Sequence, residues 1–277
     1  MSSFDSGETG DRVAQAWERH RRSIFENTRA ASYWLVDALA PRPGQTVLEL
    51  TAGPGETGFV VAERVGPDGR LLSSDVSPGM VDAARRGAEA QGLANVEFRV
   101  MDAQQLDLPD ASVDGVLSRF GVMLVPEPEL VLTEAKRVLR PGGRLAYAVW
   151  GPPEGNPWLT LFVGAVLQRV PPPPGDPFGP GGPFSLGDPD RNRDLATGAG
   201  FTDVRVEDVH GAMAFASFDD YWDLQSSVSG PIALLVSSLP AEDVVAIRSI
   251  LEGMVASFRD GDRLVVPWHA VGVPAGV

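Results

Sequence analysis

Between residues 45 and 150 the chain alternates short apolar runs with amphipathic ones, and few folds accept that order. Thr46–Leu50 (TVLEL), Arg70–Ser74, Val96–Met101, Val113–Ser118 and Arg144–Trp150 read as strands. Between them, Gly58–Val65, the run from Ser77-Pro78 to Gln91, and Glu127–Leu139 place apolar residues at helical spacing. Ser77 before Pro78 is a helix cap with proline at the first helical position. Gly92 and Pro141-Gly142-Gly143 are stop signals. Strands that alternate with helices in this way predict a parallel sheet with helices on both faces. A ligand then sits at the carboxyl ends of the strands, where the strand order reverses.

The flanks have a different texture. Val13, Trp17, His20 and Ile24 share one helical face, and Ala31, Leu35 and Ala38 continue the pattern toward Pro41. After Trp150 the expected elements are a helix over Asn156–Val170, a Pro/Gly-rich loop from Pro171 to Pro183, and a short helix over Asp190–Ala199. A strand over Phe201–Phe215, bent near Gly211, comes next. Ser217 with Asp220 resembles a capping box for a further helix. More helix is expected from Pro231 and over Ala241–Phe258, with a last strand over Arg263–Val273. This divides the chain into an N-terminal helical cap at 1–44, a ligand-binding core at 45–150, and a C-terminal part of the same domain at 151–277. That last part carries lid insertions and the last two strands.

The charge narrows the choice of partner. The 277 residues carry 37 acids against 23 Lys and Arg, a formal charge of −14. So acidic a surface repels phosphate backbones and anionic membrane surfaces, so no nucleic-acid partner is expected. The absence of cysteine excludes disulfides, thiolate metal sites and cysteine nucleophiles, and no metal site is expected. Met1 to Arg12 is polar and acidic, without the apolar stretch of a signal peptide. The longest apolar stretch, Trp158–Leu167, is about half of what a bilayer span requires. A cytoplasmic protein without a membrane span is the expectation.

The first strand runs into Glu49-Leu50-Thr51-Ala52-Gly53-Pro54-Gly55-Glu56-Thr57-Gly58. Gly53, Gly55 and Gly58 satisfy GxGxxG, which lets a ligand approach the backbone at a helix N-terminus. Dinucleotide enzymes use the same loop. Asp75 ends the second strand about 20 residues on, where an acid accepts both ribose hydroxyls. Two residues separate the readings. Glu49, just ahead of the glycines, is a poor neighbour for pyrophosphate but suits an ammonium-bearing ligand. Asp102, ending the third strand, is placed to accept the exocyclic amine of adenine.

With these residues in order, Val47 to Trp150 resembles a class I S-adenosylmethionine (SAM)-dependent methyltransferase domain, of the ubiquinone/menaquinone-biosynthesis type. The motifs are VLELTAGPGETG at 47–58, SSDVSPGM at 73–80, VMDAQQLDLPDASVD at 100–114 and EAKRVLRPGGRL at 134–145. The flanks match only in layout. The resemblance implies a Rossmann-like α/β fold with a seven-stranded, mostly parallel sheet, an N-terminal helical cap and C-terminal helical insertions. It implies that Glu49, Gly53 and Gly55 hold the methionine part of SAM and that Asp75 binds the ribose. Met80 would pack on adenine, Asp102 and the Ala103 backbone N–H would read its edge, and Ser118 would approach the methionine amine. The family usually has Gly where this chain has Thr51. An ordinary negative φ is expected there, since Gly53 and Gly55 remain.

The expected function is SAM-dependent methyl transfer to an O, C or N atom of a small, largely apolar or aromatic molecule. Such transfer depends on positioning more than on any one side chain. Trp17, Tyr33, Trp150 and Trp158 are the candidate acceptor contacts, and His20 is the one histidine placed to take a proton. His210 and His269 read as structural. The alternatives are a catalytically silent SAM-binding protein and an NAD(P)-dependent reductase. Against the reductase stand the helical extension and the lack of a Tyr-x-x-x-Lys pair.

Overall fold

The computed structural model describes residues 7–171 and 178–277, with side chains from residue 12. The start of the chain and the middle of the Pro171–Pro183 loop therefore lie outside the described residues. The first element is a single helix, α1 (Gly7–Leu39), with no break between the two apolar runs seen in the sequence.

Five strands then alternate with three helices: β1 (Thr46–Glu49), α2 (Glu56–Val65), β2 (Arg70–Asp75), α3 (Pro78–Gln91), β3 (Val96–Val100), β4 (Val113–Arg119), α4 (Pro128–Val138) and β5 (Leu139–Trp150). After them come α5 (Pro157–Leu167), α6 (Pro189–Gly198), β6 (Glu207–Phe215), α7 (Phe218–Val228), α8 (Gly230–Ser237), α9 (Ala241–Met254), β7 (Arg259–Asp260) and β8 (Arg263–Gly276). The sheet order is β3-β2-β1-β4-β5-β8-β6, with the two-residue β7 paired to β8 off that path. Pairing is parallel from β3 to β5 and antiparallel where β8 inserts between β5 and β6. The mostly parallel, Rossmann-like α/β fold is as expected, with the small β7 as an addition.

Strands covered on both faces read as near-continuous apolar runs, and period-two alternation splits them between two cores. Val47, Ala146 and Ala148 face α1 and α2, packing with Leu35, Val36, Leu39, Val61 and Val65. Their neighbours Leu48, Leu145, Tyr147 and Val149 turn to the other face, against Val131, Leu132 and Ala135 of α4 and Leu195 of α6. Tyr147, fully buried, donates its hydroxyl to the Asn192 carbonyl in α6 at 3.3 Å. Thus α6 belongs to a sheet-covering layer.

Two boundaries differ from expectation for local reasons. The strand expected from Phe201 starts at Glu207, because Asp203 takes a φ of +50° and only Thr202 bridges to Gly276 before it. The last strand continues past Val273 to Gly276, because each added residue still finds a partner on β5, ending at Arg144↔Gly276.

Candidate functional site

The carboxyl ends of β1, β2 and β3 are laced together by their own polar groups. Ser74 donates its hydroxyl to the Glu49 carbonyl at 2.8 Å, Ala52 N–H donates to the Ser74 carbonyl at 2.9 Å, and Met101 N–H to the Asp75 carbonyl at 3.0 Å. Asp75 completes the lacing. Its carboxylate accepts from Gly53 N–H and from Ser77 N–H, both at 2.9 Å, and so fixes the glycine loop to the first turn of α3. Burial raises the Asp75 pKa, against the pull of those N–H groups. Each oxygen keeps a lone pair for a further donor such as a hydroxyl.

The loop needs its glycines where the backbone turns left-handed. Gly53 (φ +55°) has nothing within 4 Å of where a Cβ would stand, so the chain is open to a ligand there. Gly55 (φ +92°) is the N-cap of α2, and a Cβ would come within 2.7 Å of the Phe59 ring. Thr51 overturns the expectation of an ordinary φ: it stands at +53°. A β-branched residue is strained in that region, and its hydroxyl holds it there. Oγ1 lies 2.5 Å from the Leu50 carbonyl and 2.7 Å from the Ser118 hydroxyl, across the β1–β4 pairing. Thr51 thus reaches a position ordinarily left to glycine through a tertiary partner.

Beneath the loop Glu49 is buried. One carboxyl oxygen accepts from Gly58 N–H at 2.9 Å, while Oε2 has no partner. Burial raises its pKa to about 8, against Arg119 and the Gly58 N–H, which favour the ionised form. Arg119, at the end of β4, is pushed down by the same burial and held up by Glu56 and Glu49. It donates to the Thr28 hydroxyl of α1 and lies 5.8 Å from the Phe120 ring centroid. Glu56 is likewise raised by burial, opposed first by Arg21, whose Nε stands 2.7 Å away. Arg21, Glu56 and Arg119 tie the loop to α1, and none of the three was anticipated. Arg119 ends β4 directly after the apolar Val116-Leu117 and Ser118, at the carboxyl end of the strand, which was the available signal.

The other candidates fall in several places. Met80, half-buried, lies in the first turn of α3, its N–H 3.4 Å from the capping Ser77 hydroxyl. Asp102 is exposed beyond β3 and accepts from Gln104 N–H at 2.9 Å; Ala103 beside it is buried. Ser118 is buried against Thr51 at the end of β4. His20 lies where α1 meets α7, its Nε2 3.4 Å from Asp223, and burial lowers its pKa. Trp17, one turn earlier, is half-buried. Tyr33 is not brought to the strand ends: it is 46% exposed and meets Phe25 edge-on along α1.

Trp150 and Trp158 do come together, in an aromatic wall. Trp150 stacks on Phe120 with centroids 3.7 Å apart, and Trp158 and Trp268 approach it at 4.9 and 5.8 Å. Phe120 needs a φ of +58° to lie there. Trp268 donates to the Asn27 carbonyl of α1 at 2.9 Å, and Trp158 to Asn156 at 3.0 Å. Phe120 and Trp268 were not among the expected contacts, since only the folded sheet brings them beside Trp150.

A parallel sheet with a glycine loop, an acid at the second strand end and a buried acid under the loop defines a Rossmann-like domain of the SAM-binding class. A family model described as a methyltransferase domain matches residues 41–151. Over 203 residues the chain is 32% identical to nocamycin O-methyltransferase of Saccharothrix syringae, covering 70% of this chain and 71% of that one. The chain belongs to the SAM-dependent methyltransferase family. It is also 43% identical over 107 residues to the arsenite methyltransferase of Halobacterium salinarum, which is 39% of this chain and 27% of that protein. Among three curated relatives that include it, the chain spans between 27% and 65% of their length. The fold is shared with a phosphoethanolamine N-methyltransferase of Haemonchus contortus, at a TM-score of 0.60 and 18% identity, covering 99% of this chain and 59% of that one. Among the described residues, no helix is long and apolar enough to cross a membrane.

Proposed function

We propose that the chain transfers a methyl group from SAM to a small, largely apolar or aromatic molecule. The observation that carries this reading is the aromatic wall of Phe120 and Trp150 at the ends of β4 and β5, Trp268 on β8 and Trp158 in α5. It adjoins Ser118, the residue that would lie beside the methionine part of the cofactor.

The residues present fit that cofactor. Gly53 leaves its backbone approachable, Asp75 retains lone pairs for two ribose hydroxyls, and the unpartnered Glu49 oxygen is suited to a cationic group. Met80 in the first turn of α3, and Asp102 and Ala103 just beyond β3, are the residues that would read adenine. When bound, the cofactor supplies an activated methyl group on a sulfonium. The protein contributes position and exclusion of water. Aromatic faces near the sulfonium would add roughly 0.5–2 kcal/mol. His20, whose pKa burial lowers and whose Nε2 lies between Arg19 and Asp223, is the candidate to take a proton from an acidic acceptor. With no cysteine the chain offers no thiolate to a soft metalloid, so an organic acceptor suits it better than arsenite. The formal charge of −14 argues against a nucleic-acid partner.

The test is calorimetry with S-adenosylhomocysteine, followed by transfer of labelled methyl to a panel of small phenols and enols. Binding in the low micromolar range, at least tenfold weaker in Asp75→Asn (about 1.4 kcal/mol), is expected. Binding of NADH without S-adenosylhomocysteine would refute the reading. Tight cofactor binding with no transfer across a broad panel would favour a silent binding protein.

A further inference from the structure

Far along the chain from the cofactor motifs, three side chains meet on the antiparallel edge of the sheet. In β6, Asp208 and His210 are two residues apart and therefore share a face. His210 pairs directly with His269 of β8, and Asp208 is the diagonal neighbour of His269 across the same ladder. The two imidazole rings stack with centroids 4.7 Å apart, and His269 Nε2 lies 2.7 Å from an Asp208 carboxylate oxygen. One ligand atom from each residue lies within 4.8 Å of the others.

We propose that Asp208, His210 and His269 bind one divalent transition-metal ion. Two imidazoles and a carboxylate form a ligand set suited to zinc and its neighbours. At zinc–ligand bonds of 2.0–2.1 Å, tetrahedral ligand atoms are separated by roughly 3.4 Å. The His269–Asp208 contact of 2.7 Å would open and the remaining separation of up to 4.8 Å would close through side-chain rotations of Asp208 and His210, both of which are exposed. His269 is already held. Asn156 bonds both its N–H and its carbonyl, at 3.2 and 2.9 Å. Gly151 and Gly155 leave room for its ring: a Cβ on Gly155 would fall 2.8 Å from the His269 Cβ. These contacts fix the backbone of His269 and the space its ring occupies. The fourth position faces solvent, so the ion would keep a water there. It would clamp the β6 edge to β8 and, through His269 and Asn156, to the turn that follows β5.

The site can be tested without the methyl-transfer reaction. Zn2+ is titrated into the metal-free full chain by calorimetry at pH 7.5, and melting is followed with and without the ion. One Zn2+ per chain at micromolar affinity is expected, with an upward shift in melting temperature. Asp208→Asn and His210→Ala, both at exposed positions, should each weaken binding at least tenfold and abolish the shift, while melting as the wild type does without metal. Co2+ should give the visible absorption of a four-coordinate site in the wild type and not in His210→Ala. Lack of saturable Zn2+ binding, or affinity unchanged in both variants, would overturn the proposal.

Discussion

Glu49→Gln isolates the buried acid beneath the glycine loop. The wild-type carboxyl sits at about 8 against an ordinary 4.5, because burial penalises its ionised form. Below pH 4.5 both folded and unfolded chains carry the proton, and this stability contribution is fully present. Between 4.5 and 8 the unfolded chain ionises while the folded one stays protonated, so stability falls as pH rises. Above about 8 both states are ionised and the loss is complete. Within the window the slope approaches about 1.4 kcal/mol per pH unit, and the whole gap amounts to roughly 3–5 kcal/mol. Gln retains an acceptor for Gly58 N–H and cannot ionise. Urea unfolding of both proteins at intervals from pH 5.5 to 8.5 reads the difference, in which other titrating groups largely cancel. The stability of Gln relative to Glu should rise by at least about 2 kcal/mol across that range. A constant difference would refute the reasoning and show Glu49 ionised in the folded chain at neutral pH, with Arg119 outweighing burial.

Thr51→Gly should stabilise by about 0.5–1 kcal/mol in thermal unfolding, since relief of a left-handed β-branched residue exceeds the loss of the Ser118 hydrogen bond; a loss above 1 kcal/mol would show that bond to dominate. His20→Ala should lower kcat with a proton-bearing acceptor and leave S-adenosylhomocysteine affinity unchanged, and equal kcat in both proteins would leave positioning as the whole of the chemistry.

Much of the candidate site's backbone frame was legible because its logic is local. Gly53 and Gly55 follow a strand, and Asp75 ends the next one, where a parallel sheet must place its ligand contacts. What escaped depends on partners distant in sequence. The φ of Thr51 is set by Ser118 on β4, and no local propensity contains that hydrogen bond. Arg119 is intelligible only beside Glu49, Glu56 and Thr28, which come from three other segments. Tyr33 and Trp34 are adjacent aromatics on one amphipathic helix. Only the packed sheet shows that Trp34 turns inward to bond Glu207 while Tyr33 stays outside. His210 and His269 looked like separate structural residues until the β6–β8 register placed them opposite each other.

α1 is one unbroken rod, and its attachments are spread along it. Arg21 grips the glycine loop through Glu56, His20 faces Asp223 of α7, Asn27 holds Trp268 of the aromatic wall, and Ser32 lies 2.9 Å from Thr57 in α2. Swinging the rod aside would break these attachments together, loosening the glycine loop and the aromatic wall in the same motion. On the proposed reading the cofactor loop and the acceptor wall therefore share one support, and a change at either end of α1 is felt at both.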